Sequence, residues 1–314
     1  MWLRASLLFA AVVGAGACNH APPLPDGLAR AQQAERNQEP LAALAQYDAL
    51  VATCRQGPSR DAKDPCGTAA LRRAQILEQL GRHSEAAGAY AEARTLSHEA
   101  RNKARALVRA AGLWAGPLGQ PTQALVLCRE VVTTWPAEVA AEDALKLWVE
   151  LATERNDPSL PGDLIGLAEQ LRPHEIVASF ALYYAARSYE RGGNRAAALA
   201  AYDQIWARYP RGPLFDDALM AAAQLLRAQG RSAEAAERLE RLEATFTKAI
   251  LIGHYNKLLL DEGALLLGET YLRDLRQPDR AIGALARFLK RQRTSLLCDD
   301  ALLLMAEASV ARHQ

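Results

Sequence analysis

Three stretches of this chain align with one another without a gap, and they constrain its fold more than any other feature. They are Ala124–Leu145 (ALVLCREVVTTWPAEVAAEDAL), Ala198–Leu219 (ALAAYDQIWARYPRGPLFDDAL) and Ala281–Leu302 (AIGALARFLKRQRTSLLCDDAL). Each closes on the same phrase: Glu142-Asp143-Ala144-Leu145, Asp216-Asp217-Ala218-Leu219 and Asp299-Asp300-Ala301-Leu302. Weaker copies begin at Ala43, Ala86 and Ala235. A unit that recurs along a chain cannot bury its apolar side alone and hides it against its neighbours. In the second stretch Ala198, Tyr202, Ile205 and Tyr209 recur at four- and three-residue steps, which makes one apolar helical stripe. Pro210 stops that helix by pushing Tyr209 out of helical geometry, and Arg211-Gly212-Pro213 turns the chain. Asp216 and Asp217 open the next helix, where carboxylates are expected to cap free N–H groups and face the positive end of the dipole. The cycle is helix, turn, helix, turn, with no strand pattern between.

Composition agrees with closely packed helices. Half of the 314 residues are hydrophobic, aromatics are only 6%, and alanine, which lets helices approach closely, is abundant. The 37 basic and 36 acidic residues nearly cancel, so the basic excess that a nucleic-acid binder needs to displace counterions is missing. Most of the basic residues are Arg, an excess that a GC-rich coding sequence accounts for. The expectation is all-α, with about seven helix pairs and a terminal helix over 27–314. Pro158 and Pro161 introduce a short second helix near Leu164–Arg172. The long link after Phe246 predicts a bend near 247–258, and the lone last helix reads either as a cap on the array or as the sign of a chain cut short.

The first residues follow the order of an export signal: Arg4, an apolar run from Ala5 to Val13, then Gly14-Ala15-Gly16-Ala17 before Cys18. The run is too short to span a bilayer. A Cys directly after small residues resembles the lipobox of bacterial lipoproteins, which implies a signal over 1–17, lipidation of Cys18 and a tether over 18–26. By the same resemblance Asn19, which is not the Asp that retains enteric lipoproteins at the inner membrane, implies the periplasmic face of the outer membrane. Inner-membrane anchoring and a soluble periplasmic form are the alternatives. In an oxidising periplasm a disulfide between Cys54 and Cys66 closes the polar insertion Arg55–Pro65, two unpaired thiols being the alternative. Cys128 takes the place of Tyr202 in the repeat and reads as a core residue.

The chemistry of catalysis has no sequence signal. The six histidines form no metal-ligand spacing, and neither a P-loop nor Gly-x-Ser-x-Gly occurs. No enzyme activity, metal or cofactor is therefore expected.

The helix-pair spacing resembles the tetratricopeptide repeat. In the pair from Ser179 to Pro210, Tyr183, Ala186, Tyr189, Gly193, Ala198, Tyr202 and Pro210 fall on the signature positions. Leu219, Ala223, Leu226, Gly230, Ala235 and Leu239 do so in the next pair, and Leu71, Ala74, Leu77, Gly81, Ala86, Tyr90 and Ala93 in an early one. Leu265, Gly268, Tyr271, Ala281, Leu285 and Phe288 match with one extra loop residue.

The resemblance implies a right-handed superhelical solenoid. It also implies a concave groove lined by the first helix of each pair, which binds peptides or helices of partner proteins. Carried onto this chain, the groove positions are Gln75, Arg109, Tyr183, Arg187, Arg191, Gln224, Arg227 and Glu269. Their arginines suit carboxylates, whereas the Lys/Asn clamp of chaperone-binding repeats does not appear. The tethered layout resembles the lipoprotein of the outer-membrane β-barrel assembly machine and the coordinator associated with the Tol–Pal system. The implied role is a membrane-anchored periplasmic scaffold that binds envelope proteins or peptides. The other readings are a non-catalytic relative of the superhelical part of a cell-wall lytic enzyme, and a pilotin or secretion-accessory lipoprotein.

Overall fold

The computed structural model describes residues 24–57, 61, 63–252 and 257–313. They hold fifteen α-helices and no strand. Seven consecutive pairs are followed by one further helix, so the all-α, solenoid-type class expected from the repeats is the one observed. The pairs are α1 (Leu24–Arg36) with α2 (Pro40–Gln56), α3 (Pro65–Gln79) with α4 (His83–Leu96), α5 (Ala100–Ala115) with α6 (Pro121–Thr134), and α7 (Val139–Glu154) with α8 (Leu160–Gln170). Then come α9 (Glu175–Arg191) with α10 (Arg195–Arg208), α11 (Phe215–Ala228) with α12 (Ser232–Ile252), α13 (Lys257–Glu269) with α14 (Pro278–Arg291), and finally α15 (Cys298–Arg312). Helix α1 begins at Leu24, inside the stretch expected to be tether. Cys18 and the signal segment lie outside the described residues. Where a link was expected after Phe246, α12 continues as helix to Ile252, and residues 253–256 of the expected bend near 247–258 lie outside the described residues.

Every pair turns through one left-handed residue: Gln38, Gly81, Gly119, Asn156, Gly193, Gly230 and Arg276, with φ between 50° and 75°. Such a residue closes a helix by letting the next N–H reach back to an orphan carbonyl. In five pairs the bond spans five residues, as in Asn194 N–H to Tyr189 O at 2.9 Å and Arg231 N–H to Leu226 O at 3.0 Å. Two pairs carry one residue more, and their bonds span six, from Gln120 to Trp114 and from Gln277 to Tyr271. The extra residue expected in the loop before α14 is thus absorbed earlier, in a π-helical turn at Thr270–Asp274.

The chain forms two compact units, residues 1–99 and 100–314. In the first, α1–α4 pack around Tyr47, Leu77 and Tyr90. Its insertion is fixed by a disulfide between buried Cys54 and Cys66. Asp64, wholly buried and left-handed, caps α3 through Gly67 N–H at 3.2 Å and accepts the Ser97 hydroxyl. In the second unit the first helices of successive pairs touch in two runs, α5–α7–α9 and α11–α13–α15, over a continuous alanine-rich core.

Three pairs share a further device. Tyr47, Tyr90 and Tyr202, all fully buried, donate their hydroxyls to Glu35 (3.0 Å), Glu78 (2.6 Å) and Glu190 (3.1 Å). In each case the Glu stands three residues before the left-handed residue and the Tyr nine after it. The other four pairs place Cys128, Ile165, Leu239 and Leu285 where the Tyr would be, and none has Glu at the earlier position.

Candidate functional site

The second helices of the larger unit are stitched to one another by arginine. Arg129 of α6 reaches Asp163 of α8 at 2.8 Å, and Glu169 of α8 pairs with Arg208 of α10. Asp203 of α10 takes Arg238 of α12 at 3.1 Å, and Glu240 takes Arg280 of α14 at 3.0 Å. Glu243 of α12 receives a two-pronged bond from Arg287, both arms 2.9 Å, with Arg291 beside it. Trp206 lies under two guanidinium groups, Arg241 at 4.7 Å and Arg238 at 5.3 Å. This side of the unit has most of its charge satisfied internally.

The first helices differ. On α9, Phe180, Tyr183 and Tyr184 form a half-buried aromatic cluster, with centroids 6.2 Å apart for Phe180–Tyr184 and 6.3 Å for Tyr183–Tyr184. Tyr183 also meets Tyr202 of its partner helix edge-on at 5.8 Å. Burial raises the pKa of both phenols; Asp217 of α11 adds to this at Tyr183, and Glu150 and Glu142 of α7 add to it at Tyr184. Among the described residues Glu142, Glu150, Asp216 and Asp217 make no ion pair. Burial holds the carboxyls of Glu142, Asp216 and Asp217 above the usual carboxylate range. Lys146, one turn from both Glu142 and Glu150 on α7, is exposed and closes on neither.

The expected caps are not formed. Helix α11 has Leu214 at its cap position with no side-chain bond, and Asp216 instead accepts the Thr245 hydroxyl at 3.1 Å. Helix α15 likewise starts uncapped, with Asp299 and Asp300 in its first turn. The dipole part of the expectation survives, because first-turn carboxylates still face the positive helix end.

The groove residues carried over by resemblance fall into several settings. Gln75 lies in the smaller unit and accepts from Arg72 at 3.2 Å. Arg109 and Gln224 are exposed on α5 and α11. Arg187 pairs with Glu190 at 3.0 Å, and Arg191 donates to Ser188 at 3.0 Å. Arg227 and Glu269 hold one another at 3.1 Å, and Arg227 also takes Asp274 at 2.5 Å. The arginines read as forks for a partner's carboxylate thus engage groups within the chain. Sequence reasoning missed Glu142 and Glu150, since nothing within α7 says that Tyr184 of α9 lies against them.

Other site chemistry is sparse. No group of three or more His, Cys, Asp or Glu among the described residues is placed to hold a metal. No described helix is long and apolar enough to cross a membrane. Cys128 is buried, and burial pushes its thiol up to about 12, as suits an inert core residue.

These stacked hairpins, closed by left-handed turns and lined by small residues, are of the α-solenoid class. Two segments, residues 180–211 and 262–295, match the family model of the tetratricopeptide repeat. They correspond to α9 with α10, and to α13, the π-helical turn and α14. No curated protein matches. Among solved structures, the chain is similar to the C-terminal part of a tetratricopeptide repeat-containing protein from Cytophaga hutchinsonii, at 13% identity and a TM-score of 0.46, covering 88% of this chain and 99% of that one. A tetratricopeptide repeat protein from Parabacteroides merdae gives 15% identity and a TM-score of 0.37, covering 91% and 98%. A signal-transduction ATPase with a tetratricopeptide repeat sensor from Pyrococcus horikoshii gives 13% and 0.49, covering 93% and 45%. At these scores none of the three informs on function.

Proposed function

We propose that the protein is a membrane-anchored periplasmic scaffold that holds a segment of a partner protein against α7, α9 and α11, in assembly or maintenance of the cell envelope. The observation that carries this reading is the aromatic cluster Phe180–Tyr183–Tyr184 among carboxylates that no arginine of the described chain neutralises. Half-buried tyrosines offer a large, stiff contact area at low entropic cost. Unpaired carboxylates favour a segment bearing Lys or Arg, not the carboxylate-bearing one that the groove arginines suggest. The bonded Cys54–Cys66 pair and the Cys18 lipobox support an exported, anchored protein. A photo-crosslinking residue at Tyr184 should trap an envelope protein in cells, and the protein should leave membranes with detergent but not with salt. Trapping at Arg129, on the arginine-stitched side, with none at Tyr184 would overturn the binding face; release by salt would overturn the anchor.

A further inference from the structure

One position of the repeat is apolar at the start of five successive first helices of the larger unit without being buried. Val139, Pro213 and Leu296 stand three residues before Glu142, Asp216 and Asp299, the acids that open the shared phrase. Ile176 holds the same place before Ser179-Phe180-Ala181-Leu182. Leu258 holds it before Asp261, which takes the Ser295 hydroxyl as Asp216 takes that of Thr245. Val139, Ile176, Leu258 and Leu296 are 76%, 49%, 60% and 94% exposed, and Pro213 is half-buried. Val139 is this exposed with helix pairs on both sides of it, so the position is open within the array and not only at its end. Exposed apolar residues scattered singly are ordinary, but these recur in register. The first helices of antiparallel pairs all run the same way, so one register position falls on one edge, that of the loops between pairs. The opposite edge, made by the left-handed turns, carries no exposed large apolar residue among the described residues of this unit.

We infer that this edge lies on a lipid bilayer, with the four exposed side chains inserted among the headgroups. Three observations select lipid over a protein partner. Packed helices stand about 8–10 Å apart, so the side chains form a row of separate points, not the contiguous core that a protein interface packs. A lipid surface accepts such points singly, each burying its own apolar area. The chain between Cys18 and Leu24, where α1 begins, spans no more than about 20 Å fully extended, so a lipidated Cys18 keeps the protein at a bilayer. Arg211 and Arg293 are exposed in the loops that carry Pro213 and Leu296, make no ion pair among the described residues, and suit lipid phosphates. Glu138 and Glu175, beside Val139 and Ile176, offset that attraction, so apolar insertion dominates and salt has little effect. The choice of lipid as occupant rests on the anchoring proposed above; the exposed row itself does not.

Flotation of the full chain carrying Cys18→Ser with vesicles of phosphatidylethanolamine and phosphatidylglycerol reads the edge without the anchor. The expected result is reversible binding, half complete near about 1 mM lipid and little changed by salt. Leu296→Asp and Val139→Asp should each lower the partition coefficient about tenfold, and together about a hundredfold, with unchanged circular dichroism. Val126→Asp removes an apolar side chain that is 56% exposed in the middle of α6, away from the edge, and should leave binding as it is. No flotation of the Cys18→Ser chain at about 10 mM lipid, an equal loss in Val126→Asp, or indifference to Leu296→Asp would overturn the inference. So would edge substitutions that leave vesicle binding intact but abolish self-association or capture of an envelope protein, since they would assign the row to a protein. Release of the unmutated protein from membranes by salt overturns the anchor and leaves the vesicle measurement standing.

Discussion

Replacing Tyr202 by Phe deletes one oxygen from the core and tests whether the Tyr–Glu bond holds the pair α9/α10 together. The Tyr202 side chain is fully buried and its hydroxyl lies 3.1 Å from Glu190, whose side chain is 23% exposed and also pairs with Arg187. A hydrogen bond to a charged group contributes about 1.5–3 kcal/mol. Partial exposure of Glu190 and its second partner bring the expected loss to about 1–2 kcal/mol. Glu190→Ala removes the acceptor and leaves a buried hydroxyl unmatched, which costs about 1–3 kcal/mol. If the two changes break one shared bond, the double variant Tyr202→Phe/Glu190→Ala loses less than their sum, with a coupling of about 1 kcal/mol. Urea unfolding followed at 222 nm supplies all four corners of the cycle. Additivity within about 0.5 kcal/mol would refute the reasoning, since it would mean that the residues act independently.

Three further outcomes follow from the same geometry. Arg276→Gly should stabilise the protein by about 1 kcal/mol and Gly193→Ala should destabilise it by a similar amount, because both positions are left-handed; thermal melts of the two variants check the sign at each. Both Arg238 and Arg129 stack on a tryptophan, but Arg238 is largely buried and lays a fork across both oxygens of Asp203, so Arg238→Lys should cost about 1–2 kcal/mol, whereas Arg129→Lys at a half-exposed single bond to Asp163 should cost under about 1 kcal/mol; urea melts separate them. For Asp217 the folded carboxyl titrates above the ordinary value of 3.8 because burial disfavours its charge. The folded state therefore holds the proton more tightly, and this group's stabilising contribution is present at low pH and lost as pH rises through the raised pKa. Asp217→Asn should gain stability relative to the parent over that interval, and a difference independent of pH would contradict the assignment.

The helices were legible because each carries its own period. Ala198, Tyr202 and Ile205 announce a buried stripe from four- and three-residue steps, and all three are buried. The turns were partly legible: glycine stands at four of the seven, Gly81, Gly119, Gly193 and Gly230, whereas Gln38, Asn156 and Arg276 take the same left-handed geometry without the residue that favours it. The extra residue before α14 was legible as a count but not as a place, because a π-helical turn and a longer loop consume one residue alike. The site was the least legible part. Arg227 stood at a groove position by register, but its partners Glu269 and Asp274 come from the next pair, 42 and 47 residues on. No helical periodicity reaches that far.

The arginine excess acquires a physical role once the helices are placed. From α6 to α14 each second helix sends a guanidinium to a carboxylate on its neighbour, or receives one, across 34 to 48 residues of sequence. Lysine would supply the charge but not the planar fork that Arg287 lays across both oxygens of Glu243. Acidic residues on that side are consumed in holding one pair to the next. The carboxylates of Glu142, Glu150 and Asp217 on the first helices are not, although burial at Glu142 and Asp217 makes an unpaired charge costly there. The arginines on those helices, Arg187 and Arg227, pair with Glu190, Glu269 and Asp274 and leave Glu142, Glu150 and Asp217 without one. On the proposed reading, charge left unmatched beside half-buried aromatic rings is completed by a cationic segment of the partner.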